Sequence, residues 1–269
     1  MQRRLIPVHR APAKMNLVFV FLALVAVSQG VPLERSFGGR IVNGEDAEVG
    51  EIPFQVSLQT SYGFHFCGGS VLTENYVVTA AHCVAGKEAE NVKVIAGTVD
   101  LEKPHSIHYV KKIIIHADYD PSHSWSNDIA VLKVNEPFVV SKTIAYATLP
   151  MHSEEFAPGV VAVASGWGRL WEGGDTPTKL QRTDVKISSP EYCNKVNSDA
   201  GYPVYEGHIC AHDPDVKTGP CHGDSGGPLV VDGKLVGLAS WVISCASTKY
   251  PTVYTKVSQY VDWLEVNAV

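Results

Sequence analysis

No stretch of this 269-residue sequence is long and apolar enough to cross a bilayer as a helix; the longest run, Leu17–Val27, has eleven residues. No C-x-x-C pair occurs, so the usual zinc-ligand spacing is missing. Basic residues are scarce, with 22 Lys and Arg against 28 Asp and Glu, and a net charge of −6 gives no footprint for nucleic acid. Repeats and low-complexity linkers are absent, and no Asn-x-Ser/Thr triplet follows residue 40, so no N-linked glycan is expected. What is present is an ordinary globular composition, 45% apolar and 19% charged, which excludes disordered and fibrous classes. The 23 glycines and 16 prolines suit turns and make a helical bundle unattractive.

The charge is unevenly placed. Residues 1–40 hold six basic groups and one acid, leaving a net −11 over residues 41–269. Such a body has no electrostatic attraction to nucleic acid or to an anionic membrane. The basic residues Arg3–Lys14, the apolar run Leu17–Val27 and the small residues through Ser28 and Gly30 have the layout of a secretory leader over residues 1–30. Met15 is a possible alternative start. Export implies an oxidising compartment, and the even count of six cysteines (Cys67, Cys83, Cys193, Cys210, Cys221, Cys245) then predicts three disulfides, with fifteen pairings open.

Short β-branched or alternating runs recur between turn residues: Phe54–Gln59, Tyr76–Thr79, Val92–Ala96, His108–Ile115, Ile129–Val134, Val160–Ser165, Leu180–Ile187, Leu229–Val231, Lys234–Ser240 and Thr252–Val257. This pattern predicts an all-β sandwich or barrel. Asp232-Gly233 is a two-residue hairpin signal. One helix is expected at the end, with Ser258 as its cap and Tyr260, Trp263, Leu264 and Asn267–Ala268 at helical spacing. The histidines His105 and His108 are three apart on a strand and face opposite sides, a poor metal pair.

Gly223-Asp224-Ser225-Gly226-Gly227-Pro228 carries the sharpest chemical signal. It satisfies the G-x-S-x-G elbow of α/β hydrolases, whose histidine must follow the serine; no histidine follows His222. The order His, Asp, Ser is available instead, in Thr79-Ala80-Ala81-His82-Cys83 and Asn127-Asp128-Ile129-Ala130-Val131-Leu132. Together with Arg40-Ile41-Val42-Asn43-Gly44, Gly166-Trp167-Gly168 and Ser240-Trp241, these blocks resemble the chymotrypsin family of serine endopeptidases, collinearly over residues 41–269. A serine hydroxyl is a weak nucleophile and needs a base within hydrogen-bond reach; histidine, with a reference pKa of about 6.5, can take and return a proton near neutrality.

The resemblance implies two six-stranded antiparallel β-barrels packed side by side with a C-terminal α-helix. It implies a catalytic triad of His82, Asp128 and Ser225, an oxyanion hole from the N–H groups of Gly223 and Ser225, and Ser240 as a partner for the substrate backbone. It further implies an activation peptide over residues 31–40, cleavage after Arg40, and pairing of the new Ile41 ammonium with Asp224. The implied disulfides are Cys67–Cys83, Cys193–Cys210 and Cys221–Cys245; vertebrate chymotrypsin has further bridges, and no cysteine tethers Val31–Arg40. By position, Gly219, Val242 and Thr252 shape the pocket for the residue preceding the scissile bond (P1). Trypsin-like members carry Asp where Gly219 stands, and chymotrypsin-like members carry glycine where Val242 and Thr252 stand, so this pocket resembles that of pancreatic elastase and implies small aliphatic P1 residues. Chymotrypsin-like cleavage after Phe, Tyr or Leu, and a non-catalytic homologue acting as a binding module, are the alternatives. No cofactor or metal is implied. The implied partners are protein or peptide substrates, a trypsin-like activating protease and proteinaceous inhibitors, around a secreted monomer with a digestive role.

Overall fold

The computed structural model describes residues 41–269, so the expected leader, the activation peptide and Arg40 lie outside the described residues. After a two-residue strand β1 (Glu45–Asp46), the chain builds β2 (Gln55–Thr60), β3 (His65–Val71), β4 (Tyr76–Thr79), a one-turn helix α1 (Ala81–Val84), β5 (Val92–Ala96), β6 (Ser106–Ile115) and β7 (Ala130–Val134). These close as an antiparallel barrel in the order β2-β3-β4-β7-β6-β5. The second half supplies β8 (Val161–Gly166), β9 (Gln181–Ile187), α2 (Pro190–Asp199), β10 (His208–His212), β11 (Pro228–Val231), β12 (Lys234–Trp241), β13 (Thr252–Lys256) and α3 (Val261–Asn267). Pairing of β8 with β9 closes these six strands in turn, and β1 adds an edge to β9. The expected pair of six-stranded barrels is therefore present.

Each barrel follows from local chemistry. Along β9 burial alternates residue by residue, as the two-residue period of a strand requires when one face is covered. Asp232 and Gly233 both have positive φ, 48° and 77°, the twist a two-residue hairpin needs between β11 and β12. The first barrel is filled by Val56, Leu58, Val77, Val131 and Leu132, the second by Ala162, Val185, Leu229 and Tyr254.

Beyond the short β1 and α1, three longer elements are not expected from the sequence. Strand β3 reads His-Phe-Cys-Gly-Gly-Ser-Val, and its glycines argue against a strand. Gly68 is required because the barrels touch there: a Cβ would lie 2.9 Å from Gly227 Cα. Strand β10 reads His-Ile-Cys-Ala-His and is buried throughout, so no alternating pattern marks it. Helix α2 buries only Cys193 and Asn197, so it shows no apolar stripe, although Ser189 caps it by accepting from Tyr192 N–H and Pro190 occupies its first turn. The expected cap of the last helix is corrected: Ser258 sits buried in a 3-10 turn, Val257–Gln259, and α3 starts after Tyr260 with no side-chain cap. Val257, Tyr260, Leu264 and Ala268 join the first barrel's core, so the terminal segment crosses back from the second barrel. Among the described residues no helix is long and apolar enough to cross a membrane.

Candidate active site

His82 stands on α1, directly after β4, with its neighbour Cys83 bonded to Cys67 of β3. Asp128 immediately precedes Ile129 and β7, and is wholly buried. The two join across the barrel rim. Asp128 Oδ1 accepts the His82 backbone N–H at 2.8 Å, and Oδ2 lies 2.7 Å from His82 Nδ1. Ser240, from β12, donates its hydroxyl to the same Oδ2 at 2.6 Å, and Thr255 of β13 donates to the Asp128 carbonyl at 2.8 Å. A carboxylate placed this way keeps the proton on Nδ1 and leaves Nε2 as the basic nitrogen. Ser225 approaches from the second barrel, in the loop between Cys221 and β11. Among the described residues no hydrogen bond joins Ser225 Oγ to His82, whose Nε2 lies 3.8 Å from Cys83 Sγ; such contacts tighten when a substrate is bound. Cys67, Cys83 and His82 gather ligand-type atoms within 4.8 Å, but the two sulfurs are bonded to each other and offer no thiolate to a metal.

The loop before the nucleophile is held by Asp224. Its carboxyl accepts from Gly168 N–H at 2.8 Å and Cys221 N–H at 2.9 Å. Gly166 and Gly168 are glycine because a Cβ on either would fall 2.0 or 2.4 Å from that carboxyl group. Burial pushes Asp224 up to about 7, against the pull of its two backbone donors. Among the described residues no cation pairs with it. Ile41 is also completely buried, at φ 33°, and Val42 bridges to Gly219. The N–H groups of Gly223 and Ser225 have no acceptor among the described residues, which leaves both open to an oxyanion.

Beside Ser225 opens a cavity of about 270 Å³ lined by Trp125, Pro220, Cys221, His222, Ala239, Ser240, Trp241, Val242 and Thr252. No Asp, Glu, Lys or Arg lines it. Val242 and Thr252 stand in its wall; Gly219 does not, lying instead in the bridge to Val42. A register shift between Ala239 and Trp241 leaves Ser240 without a partner in the β12–β13 ladder, beside the cavity. Cys221–Cys245 closes next to this wall, and Cys193–Cys210 ties α2 to β10. Trp125 was missed in the sequence. It precedes Asp128 in a bend where Ser124, Trp125 and Asn127 all have positive φ, and no periodicity marks such a loop.

A histidine hydrogen-bonded to a buried aspartate, together with a serine in a turn whose N–H groups have no acceptor among the described residues, defines a serine hydrolase of the acyl-transfer type. The chain matches the Trypsin family over residues 41–264 and belongs to that family; it is a trypsin-like serine endopeptidase. It is 38% identical over 243 residues to trypsin-1 of Astacus astacus, covering 85% of this chain and all of that one. It is 41% identical over 239 residues to a trypsin of Simulium vittatum, covering 87% and 95%. Among solved structures, human heparin binding protein superposes with a TM-score of 0.75 at 25% identity, over 85% of this chain and 96% of that one.

Proposed function

We propose that the chain is an exported zymogen, cut after Arg40, that hydrolyses peptide bonds following small aliphatic residues. The observation that carries this reading is the cavity beside Ser225, narrowed by Val242 and Thr252 and without a carboxylate. A Lys or Arg side chain entering it would lose its hydration with no counter-charge, a cost of several kcal/mol or more. Two β-branched side chains, restricted about χ1, stand where an aromatic ring would enter.

The chemistry proceeds in two transfers. Ser225 Oγ attacks the scissile carbonyl as His82 Nε2 takes its proton, Asp128 stabilises the imidazolium, and the N–H groups of Gly223 and Ser225 receive the oxyanion. His82 then protonates the leaving amine, and water repeats the sequence on the acyl-enzyme. The unladdered Ser240 backbone suits an extended substrate strand. Activation follows from Asp224, which pairs with no cation among the described residues: a new Ile41 ammonium supplies one and fixes the loop that holds both oxyanion donors. Because the pocket rejects Arg, a separate trypsin-like protease performs the cut, and proteinaceous inhibitors and dietary or tissue proteins are the natural partners of the secreted monomer. The test is kcat/KM of the Arg40-cleaved protein on peptides differing only at P1. Ala, Val and Leu should exceed Phe, Tyr, Lys and Arg; cleavage after Phe or Tyr well above Ala or Val refutes the reading.

A further inference from the structure

A second cavity, of about 460 Å³, opens in the second barrel where the start of α2, the loop before β10 and the end of β13 meet. One layer of side chains separates it from the substrate cavity. Val204 lines it and packs in the cluster of Trp241 and Val253. His208 lines it too, its ring 6.2 Å from that of Trp241 and edge to face. Trp241 itself lines the cavity beside Ser225. His208 Nδ1 accepts the Tyr205 N–H at 3.1 Å, which holds the intervening loop to β10.

The lining is amphipathic. Phe156, Ile187, Val204 and Ile209 supply apolar wall. Lys256 is buried there, and its ammonium pairs with Glu155, which also lines the cavity. Glu191 and Glu206 line it as well; both are exposed, and neither forms an ion pair among the described residues. With Lys256 and Glu155 cancelling, two carboxylates are left uncompensated. An anion entering here would have to take Lys256 from Glu155 and face both of the others. A methylene stem ending in a cation fits instead, with the stem on the apolar wall and the head at the carboxylates.

We propose that this cavity is an exosite for a Lys or Arg side chain of the substrate, carried upstream of the residues that fill the cleft beside Ser225. This rests on the serine-peptidase reading above. In that reading His82 takes the leaving amine, so the upstream residues run away from His82, along Ser240 and across Trp241. The next surface on that course is the loop carrying Tyr202, whose ring lies 6.0 Å from that of Trp241, and Val204. A contact so far from the reacting carbonyl binds substrate and transition state alike, so it lowers KM and leaves kcat unchanged.

The experiment uses activated protein and N-terminally acetylated peptides built on the P1 residue it cleaves best. One lysine is moved from the fourth to the ninth position upstream of the scissile bond, all other side chains being neutral. Each peptide is matched with its Nε-acetyl-lysine counterpart, which keeps the stem and removes the charge. At one position, or two neighbouring ones, lysine should lower KM about 3- to 10-fold relative to acetyl-lysine, the effect of one cation meeting two exposed carboxylates. Glutamate at the same position should raise KM. Glu191→Gln with Glu206→Gln should bring the ratio of lysine to acetyl-lysine close to one, and so should high salt. A ratio near one at every position, an advantage carried by kcat alone, or an advantage that the double variant retains would overturn the assignment. Building on the best P1 residue keeps the outcome independent of P1 preference. An activated protein that cleaves after no P1 residue would instead refute the peptidase reading itself.

Discussion

The buried carboxyl of Asp224, which pairs with no cation among the described residues, should make the uncut and cut proteins respond to pH in different ways. In the uncut chain burial holds it at about 7, against an ordinary carboxyl value of about 3.9. A pKa raised by folding means that the protonated form suits the fold: the contribution is fully present below about pH 4 and is lost as pH climbs through 7. Three pH units at 1.36 kcal/mol each make that loss about 4 kcal/mol, a large part of a typical domain's stability. If the 40–41 bond is cut as proposed, the Ile41 ammonium would neutralise the carboxylate, and the decline over pH 4–7 should disappear. A carboxylate partner would favour the charged ammonium, so the cut form should lose this support only in the alkaline range, where the ammonium gives up its proton. Urea unfolding of Arg40→Gln (uncut) and activated protein, both carrying Ser225→Ala to prevent autolysis, gives the two profiles. Adding Asp224→Asn to each isolates this one group. Parallel profiles for cut and uncut protein, or an uncut Asp224→Asn protein that still declines by the same amount, would refute the reasoning.

Three further outcomes follow from the site. Val242→Gly with Thr252→Gly should raise kcat/KM after Phe relative to Ala by roughly 10- to 150-fold, the equivalent of the 1.5–3 kcal/mol gained on burying an aromatic side chain, read on matched peptides. Asp128→Asn should lower kcat by about four orders of magnitude while leaving KM and the fold in place, because the amide favours the wrong His82 tautomer; a loss below ten-fold would remove Asp128 from its role. Replacing Cys221 and Cys245 by Ala should cost about 3.5 kcal/mol in denaturant unfolding under the loop-entropy account and broaden P1 selectivity, since Cys221 lines the same cavity as Val242.

Much of the fold was legible because strand signals are local. Runs such as Val92–Ala96 and Ile129–Val134 and the turn Asp232-Gly233 declare themselves through branched side chains and punctuation. The parts that stayed hidden depend on contacts distant in sequence. Strand β3 looks too rich in glycine until Gly227 is set against it, and α2 exposes nearly all its length, so no periodic stripe can mark it. The site divides the same way. His82, Asp128 and Ser225 sit in blocks whose composition reports their chemistry, whereas Trp125 reaches the substrate cavity through a left-handed bend that no hydropathy pattern encodes.

The backbone of Ile41 would give the proposed activation step a direction. A β-branched residue at φ 33° holds a torsion its side chain opposes, at a cost of about 1–3 kcal/mol. That torsion is defined by the carbonyl carbon of residue 40, so it exists only while the 40–41 peptide bond exists. The intact chain thus carries a load at the bond proposed for cleavage, and hydrolysis discharges the load by abolishing the angle itself. Nothing in the cut molecule can restore it. Under the proposed activation the junction would work as a ratchet: religation would have to rebuild the strained torsion and expel a buried ammonium in the same act.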